Sequence, residues 1–242
     1  MRGQFITLEG SEGAGKSTNV DSVCASLDSA GIDYLRTREP GGTPMAEALR
    51  DSMLHKWEEQ VDPLAELLLV FSARAQHLSN VIKPALDMGR WVVCDRFTDA
   101  SFAYQGFGRQ LDLTKLETLE LWVQGCLQPD LTLYLDLAPD VGETRIAHRQ
   151  KDRMEGEKRE FFERVREGYL ARARQFERIV TVNAGQPLAV VQAEVDRVIN
   201  RFIQDSRLEA EKGCVKLSVL TRVVHLTYDF HDGLLVTSLG LA

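Results

Sequence analysis

The sequence lacks any apolar run long enough to cross a membrane, which takes about 20 consecutive apolar residues. Its four cysteines, Cys24, Cys94, Cys126 and Cys214, are scattered, and none forms the C-x-x-C pair that is typical of a zinc site. The chain enters a strand-like segment almost at once, so we expect no signal peptide. These absences predict no zinc, no membrane association and a reducing, cytoplasmic location.

Basic residues are not in excess either. The chain has 29 Lys and Arg against 36 Asp and Glu, a formal net charge of −7. This balance argues against a general nucleic-acid-binding protein, whose contact surface is usually basic. The 242 residues, 44% hydrophobic and 27% charged, suit one α/β domain with a small appendage. An acidic protein that binds polyphosphate must therefore concentrate its arginines locally.

Residues 10–18 read Gly-Ser-Glu-Gly-Ala-Gly-Lys-Ser-Thr and match G-x-x-x-x-G-K-[ST], the pattern of a phosphate-binding loop or P-loop. The segment 5–8 before it is strand-like, and the apolar residues after it have helical spacing. Glycines let successive backbone N–H groups point inward at phosphate oxygens. Lys16 is predicted to reach the outer phosphates and Ser17 to hold Mg²⁺. A Gly-rich turn with a chance lysine is the disfavoured alternative, because strand, loop and helix occur in order.

Strand-like and helical segments alternate along most of the chain, which predicts a parallel sheet with helices on both faces. The predicted strands are 3–9, 32–37, 91–94, 131–137 and 179–183. Helical spacing covers 17–29, 44–55, 63–88, 114–127, 140–149, 160–177 and 187–204. Because ligands of such sheets bind at the carboxyl ends of the strands, the residues after each strand are the candidates for a site.

The segment after residue 204 carries no recognisable motif. We therefore divide the chain into a domain of residues 1–204 and a C-terminal extension, 205–242. Within the extension, 219–226 and 234–239 are strand-like, with a turn at 231–233. A small hairpin, a disordered tail and non-native sequence are three interpretations of it, and no function is assigned to it.

The motif Arg-Glu-Pro-Gly-Gly-Thr at 38–43 follows the second predicted strand. Thr43 and Pro44 suit the N-cap and first turn of a helix. Arg38, at the end of a strand opposite the P-loop, is placed to clamp an anion. A plain strand-to-helix loop is the alternative interpretation.

Asp95 and Arg96 follow the third predicted strand directly. An acid in this place holds Mg²⁺ through water or accepts a proton, and the arginine beside it grips a phosphate bidentately. Taken alone, the pair is equally explained as an ion pair at a strand end. Its position opposite a P-loop favours the binding interpretation.

Two helical faces carry further candidates. Ser101, Tyr104 and Gln105 lie one helical turn apart, and their hydroxyl and amide groups suit recognition of a base or sugar. They also suit a partly polar surface. Phe71 and Arg74 are i,i+3 neighbours that suit base stacking. In so apolar a helix, however, the default position of an aromatic residue is the core.

Arginines recur every four residues at Arg145, Arg149 and Arg153, ahead of a charged, glycine-containing segment, 155–159. A segment of this kind after the fourth strand suits a lid of about residues 145–159. Such a lid closes arginines over a transferring phosphoryl group and excludes water. For Arg145 and Arg159, a solvated helix face is the competing interpretation.

Together these motifs resemble the bacterial thymidylate kinases, a family of P-loop nucleoside monophosphate kinases. The resemblance covers about residues 3–204 in order and rests on the segments 5–18, 37–43, 95–106 and 129–136. It implies a P-loop kinase fold with a five-stranded parallel sheet and a homodimer. It also implies Mg·ATP-dependent phosphorylation of dTMP to dTDP, a step in dTTP biosynthesis.

The resemblance also implies which residues bind each nucleotide. The ATP-binding residues would be Gly10, Ser11, Glu12, Gly13, Ala14, Gly15, Lys16, Ser17 and Thr18. The dTMP-binding residues would be Glu12, Arg38, Arg50, Phe71, Arg74, Arg96, Ser101, Tyr104 and Gln105. Phe71 would stack on thymine, Arg74 would bond its O4, and Ser101 and Gln105 would complete base recognition.

For the sugar, phosphate and metal, the resemblance again implies individual roles. Glu12 would bond the 3′-hydroxyl, and Tyr104 would pack where a ribose 2′-hydroxyl would sit. The dTMP phosphate would be held by Arg38, Arg50 and Arg96, and Mg²⁺ by Ser17 and Asp95. The catalytic residues would be Lys16, Asp95, Arg96 and a lid arginine, Arg153 first and Arg149 second, because the P-loop contains no arginine.

Three other functions are distinguishable. A P-loop kinase for another nucleoside monophosphate or a deoxynucleoside is the nearest alternative. A GTPase switch is disfavoured, because the sequence has no N-K-x-D motif and no D-x-x-G after a strand. A non-catalytic nucleotide sensor is disfavoured by the arginine set, since a sensor needs no clamp for an acceptor.

Overall fold

A computed structural model describes residues 2–148 and 152–224 of the chain. Within those ranges, five parallel strands form one sheet in the order β2-β3-β1-β4-β5. The strands are β1 Phe5–Glu9, β2 Tyr34–Arg38, β3 Trp91–Asp95, β4 Leu131–Asp136 and β5 Ile179–Asn183. The predicted five-stranded parallel sheet is confirmed.

The helices surround this sheet. They are α1 Lys16–Ser29, α2 Pro44–Leu54, α3 Pro63–His77, α4 Lys83–Asp87, α5 Thr98–Ser101, α6 Leu113–Gln124, α7 Pro139–Ile146, α8 Arg159–Gln175 and α9 Leu188–Val224. Two π-helical segments continue preceding helices, Leu78–Ile82 after α3 and Phe102–Gly108 after α5. Tyr104 and Gln105 therefore lie on a π-helical segment, where side chains are spaced differently from those of the α-helical turn expected from the sequence.

Helix starts follow the capping chemistry of the sequence. The Thr43 hydroxyl accepts a hydrogen bond from Ala46 N at 3.1 Å, and Pro44 occupies the first turn of α2, so the predicted cap is confirmed. The Asp62 carboxylate caps α3 in the same way, accepting from Leu64 N at 2.8 Å. These caps fix where α2 and α3 begin.

Both faces of the sheet are covered. Neighbouring side chains of a strand point to opposite faces. Phe5 of β1 packs with Ile82 and with Val92 of β3 in one apolar cluster. Ile6, which points to the other face, is also fully buried. With both faces closed, the carboxyl ends of the strands are left for a ligand.

The last helix differs from expectation. α9 continues past the predicted end near residue 204 to Val224, so the strand-like segment predicted at 219–226 is wrong over its described part, 219–224. Residues 207–212 are mostly strong helix formers, which favours this continuation. The predicted strand 234–239 and turn 231–233 lie outside the described residues.

The chain divides into two units, one ending at Phe202 and the other beginning at Ile203. The predicted boundary at residue 204 lies close to this division, and no role is assigned to the extension. None of the helices in the described ranges is long and apolar enough to cross a membrane.

Candidate active site

The carboxyl ends of β1, β2 and β3 open into a cavity of about 1270 Å³. This volume exceeds the roughly 300–1,000 Å³ of a site for one drug-sized ligand, so two nucleotides are a reasonable occupancy. Eight of the nine residues predicted to bind the acceptor line it: Glu12, Arg38, Arg50, Arg74, Arg96, Ser101, Tyr104 and Gln105. Asp95, Lys16, Ser17 and Thr18 line it as well.

The P-loop wraps one end of the cavity and leads into α1. Gly13 has a φ of +77°, and a Cβ added there would lie 2.6 Å from the carbonyl oxygen of Gly142 on α7. Only glycine fits this close approach of two backbones. Since α1 begins at Lys16, the positive end of its dipole faces the loop, as a phosphate-binding helix requires.

Lys16 reaches back across the loop. Its Nζ donates to Gly10 O at 3.0 Å and to Ser11 O at 3.1 Å. Burial, together with the nearby charge of Arg96, lowers the pKa of Lys16 to about 8. An incoming phosphate would stabilise the ammonium form by placing an anion beside it.

Three guanidinium groups converge opposite the P-loop. Arg38 pairs with Glu47 at 2.7 Å, and Arg50 donates to Pro40 O at 2.9 Å. Burial lowers the pKa of Arg50, and the like charges of Arg38 and Arg96 lower it further. Positive groups that repel one another in a cavity are ready for an anion, because a bound phosphate relieves the repulsion.

Arg96 is held in an unusual backbone conformation. It has a φ of +69°, in the left-handed region, and its N–H donates to Leu8 O at 2.9 Å. Its side chain donates to Glu12 Oε1 at 2.6 Å, and the Tyr104 hydroxyl donates to Glu12 Oε2 at 2.8 Å. Burial alone would raise the pKa of Glu12, but the charges of Arg96 and Lys16 outweigh it and lower that pKa. The carboxylate of Glu12 thus stays an acceptor inside the cavity.

Arg74 lies at the far end of the cavity and is 1% exposed. Its Nε donates to Glu39 at 2.7 Å, and its Nη2 donates to Phe97 O at 3.0 Å and to Ser101 Oγ at 2.9 Å. His77 contacts the other oxygen of Glu39 at 3.0 Å. Within the described part of the chain, Nη1 of Arg74 is buried without a hydrogen-bond partner. A buried donor of this kind is suited to a ligand acceptor.

Phe71 is the one predicted acceptor residue that does not line the cavity. It is 2% exposed and packs with Leu67, Phe102 and Leu116. Its ring lies 4.8 Å from the guanidinium carbon of Arg74, within cation–π range. Stacking of Phe71 on a base stays a prediction.

The lid arginines lie apart from one another. Arg145 donates to Gly13 O at 3.0 Å and to Ala184 O at 3.1 Å, which ties α7 to the P-loop. Arg153 instead donates to Met53 O at 2.8 Å, and its Nη2 lies 2.8 Å from Glu66 Oε2. Arg149 lies outside the described residues. The catalytic role of either arginine stays a prediction.

The two predicted metal ligands suit Mg²⁺. Oδ1 of Asp95 is buried, and the described residues provide no hydrogen-bond partner for it. Ser17 is exposed in the first turn of α1 and lines the same cavity. No cluster of three or more His, Cys, Asp or Glu side chains suited to a metal occurs in residues 2–148 and 152–224. A cation here would complete its shell with phosphate and water oxygens, as Mg²⁺ commonly does.

A sequence profile described as thymidylate kinase matches residues 8–195. The chain belongs to the thymidylate kinase family. The thymidylate kinase of Teredinibacter turnerae is 54% identical over 205 residues, which cover 84% of this chain and 100% of that protein. The thymidylate kinase of Pseudomonas fluorescens Pf-5 is 54% identical over 86% of this chain and 100% of its own length. That of Chromohalobacter salexigens is 56% identical over 80% of this chain and 93% of its own length.

Family membership confirms the resemblance drawn from the motifs, and it favours dTMP over another acceptor.

Family membership does not identify the supporting residues behind the cavity, which local sequence patterns also miss. In this member of the thymidylate kinase family, Glu9, Glu66 and His77 are buried polar residues that hold cavity residues in place. Their partners are distant in sequence, so no spacing rule identifies them.

Glu9, one of these supporting residues, is the last residue of β1. It is fully buried, accepts from Phe97 N at 2.7 Å and accepts from the Tyr169 hydroxyl at 3.0 Å. Arg96 in turn donates to the Tyr169 hydroxyl at 3.4 Å. Burial and the nearby charge of Asp99 raise the pKa of Glu9 to about 7. Glu9 thus braces the turn that carries Arg96.

This raised pKa predicts a pH-dependent stability. Because the pKa of Glu9 rises from 4.5 to about 7 on folding, the folded protein keeps a proton that the unfolded chain has lost. The contribution of Glu9 to stability therefore falls as pH rises from about 4.5 to about 7. Glu9→Gln resembles the protonated side chain, so we expect the Tm of the variant relative to wild type to be higher at pH 8 than at pH 5.

Thermal melts followed by circular dichroism at the two pH values measure this difference. Glu117→Gln, an exposed change on α6, is the matched control and should show no such trend. The same Tm difference for Glu9→Gln at pH 5 and pH 8 would contradict the raised pKa.

Proposed function

We propose that the cavity binds ATP at the P-loop and dTMP between the arginine clamp and Arg74, and that the γ-phosphoryl group passes between them. The protein is a phosphotransferase that converts dTMP and ATP to dTDP and ADP, the activity of its family. The observation that carries the proposed arrangement is the convergence of Arg38, Arg50 and Arg96 opposite Lys16 in one cavity.

Phosphoryl transfer needs little covalent help, since the main task is to align two polyanions and neutralise their charge. The guanidinium groups of Arg38, Arg50 and Arg96 fix the acceptor phosphate. Lys16 and the P-loop amides fix the donor phosphates. The hydrogen-bonded pair of Glu12 and Tyr104 faces the sugar of dTMP, with Glu12 at the 3′-hydroxyl and Tyr104 where a 2′-hydroxyl would sit.

Asp95 and Ser17 would hold Mg²⁺, which when bound would neutralise part of the phosphate charge. The orphaned Oδ1 of Asp95 supports this assignment. The acceptor phosphate is largely deprotonated already, so a strong general base is not needed. Asp95→Asn is expected to lower kcat by about 100-fold, and to raise the Mg²⁺ concentration needed for half-maximal activity. If Asp95→Asn turned over near the wild-type rate at saturating Mg²⁺, Asp95 would not have this role in holding the metal.

A substrate panel tests the proposed function. ADP release in a coupled assay should depend on dTMP and should be slower with dUMP, dCMP or AMP at equal concentration. ADP release that is independent of any acceptor would indicate an ATPase, and the absence of turnover with all four would indicate a sensor. Faster turnover of another monophosphate would reassign the acceptor.

Phe71 tests the base site. Phe71→Ala is expected to raise the KM for dTMP by about tenfold, since base stacking is worth roughly 1–3 kcal/mol. The KM for ATP should change much less. An equal rise in the KM for both substrates, with a lowered Tm, would show that Phe71 has only a structural role in its cluster with Leu67 and Phe102.

The lid, the domain division and the location of the protein complete the proposal. Residues 1–204 form the catalytic domain, and the segment of about 145–159 acts as the lid that delivers Arg153, with Arg149 as second choice. A cytoplasmic location is supported by free cysteines at positions 24, 94 and 126.

A homodimer is part of the same proposal. Leu64 and Leu68 of α3 are 40% and 46% exposed, and Leu121 and Trp122 of the neighbouring α6 are 64% and 78% exposed. Large apolar side chains clustered on adjacent helices favour burial against a second copy. Sedimentation equilibrium should give a dimer for wild type and a monomer for Trp122→Glu. A wild-type monomer at all concentrations would refute the dimer.

A further inference from the structure

Glu66 of α3 joins the base end of the cavity to the lid. Its side chain is 1% exposed. Oε1 accepts from Gln105 Nε2 at 2.9 Å and from Arg109 Nε at 3.2 Å. Oε2 accepts from Arg109 Nη2 at 3.0 Å and lies 2.8 Å from Arg153 Nη2. Each carboxylate oxygen therefore faces two nitrogen donors among the described residues.

This arrangement decides which way round the Gln105 amide lies. An ionised carboxylate can only accept hydrogen bonds, and Arg109 and Arg153 keep Glu66 ionised. The amide nitrogen of Gln105 therefore faces Glu66, 2.9 Å from Oε1. Gln105 lines the cavity, and no donor to its carbonyl oxygen occurs among residues 2–148 and 152–224. That oxygen is left to accept from a ligand.

We propose that Glu66 is a positioning residue that selects thymine over cytosine by holding the Gln105 amide with its oxygen toward the base. This inference rests on the proposed binding of dTMP in the cavity. The unpartnered Nη1 of Arg74 offers a donor at the same end. A donor beside an acceptor matches O4 and N3–H of thymine. Cytosine presents N4–H₂ and an unprotonated N3 instead, so both contacts become mismatches.

Glu66→Gln tests this orientation of the Gln105 amide. The substitution places one NH₂ donor where the carboxylate of Glu66 has only acceptor oxygens. Placed at the Oε2 position, the new NH₂ group would face two arginine donors, neither of which can turn into an acceptor. Placed at the Oε1 position, it faces Arg109 Nε and the Gln105 amide, and Gln105 can rotate by 180°. The second placement leaves fewer repulsive contacts. The rotation would present the NH₂ group of Gln105 to the base.

The measurement is kcat/KM for dTMP, dUMP and dCMP in wild type and Glu66→Gln, with Ki values against dTMP wherever turnover of dCMP is too slow. We expect the preference for dTMP over dCMP to fall by about 10-fold to 100-fold, the range for reversing one buried hydrogen bond. The preference for dTMP over dUMP should stay within twofold, because uracil and thymine share the O4 and N3–H edge. A general structural defect would lower all three values together.

Arg109→Gln is the matched control. It removes another partner of Glu66 but leaves the carboxylate facing Gln105, so the dTMP:dCMP preference should persist. An equal loss in this control, or an unchanged preference in Glu66→Gln, overturns the proposal.

If Glu66→Gln fails to fold, Gln105→Leu tests whether the carbonyl oxygen of Gln105 distinguishes thymine from cytosine. An unchanged dTMP:dCMP preference in that variant also overturns the proposal. Wild-type protein that does not phosphorylate dTMP refutes the proposed function itself, whereas active wild type with an unchanged Glu66→Gln preference refutes only the role of Glu66.

Discussion

Replacing Lys16 with alanine is expected to lower kcat by about 1,000-fold, the scale for losing one preorganised charged donor at a phosphoryl-transfer site. In the structure, its ammonium group spans the P-loop through Gly10 O and Ser11 O. The group is partly desolvated, with its pKa lowered to about 8, so an anionic phosphate gains more from it than from a solvated lysine. Initial rates at saturating ATP and dTMP measure the loss.

The fold should survive this change, since neither the sheet nor the helix caps involve the Lys16 side chain. A circular dichroism spectrum and Tm close to wild type establish this. Lys115→Ala, an exposed change on α6, is the matched control and should keep full activity. If Lys16→Ala retained comparable turnover, the assignment of the donor phosphates to the P-loop would be wrong.

Arg153→Met is expected to lower kcat by about 1,000-fold while changing the KM for either nucleotide by only a few-fold. An arginine that closes over the transferring group stabilises charge that is greatest in the transition state, so its loss appears in kcat. In the structure, Arg153 Nε donates to Met53 O at 2.8 Å, and its Nη2 lies 2.8 Å from Glu66 Oε2. Steady-state kinetics with both substrates varied separate kcat from KM.

Two further variants make this result specific. Arg159→Met changes an exposed arginine of the same lid that pairs with Glu163 at 2.9 Å, and it should remain near wild type. Arg149→Met tests the second choice. If Arg149→Met lost far more activity than Arg153→Met, the catalytic arginine would be Arg149. Near-wild-type kcat for both variants would contradict catalysis by a lid arginine.

Local sequence patterns predicted some of the residues that line the cavity, such as Arg38 and Asp95, but not the buried residues that support them. Arg38 and Asp95 each stand at the end of a strand, and the carboxyl ends of parallel strands meet at one edge. The supporting contacts join distant residues, such as Glu9 with Tyr169 and Glu66 with Arg153. Single carboxylates of this kind have no distinguishing neighbours in the sequence.

One predicted feature was decided by a competing local effect. The strand-like spacing at 219–224 did not produce a strand, because the preceding residues favour helix and α9 continues through them. Phe71 is buried in the cluster with Phe102, the default position for an aromatic residue in an apolar helix, and its stacking on a base stays a prediction. A pattern of a few residues does not show whether a side chain packs in the core or contacts a ligand.

The sequence alone determined the parallel sheet, the P-loop and the charged ends of its strands, because hydrophobic periodicity and glycine spacing are local properties of the chain. The tertiary structure decided which carboxylate holds which arginine, and therefore where Arg96, Arg74 and Arg153 direct their charge. The physical reason is that a buried ion pair depends on the position of both partners in space, and the fold alone brings them within hydrogen-bond distance.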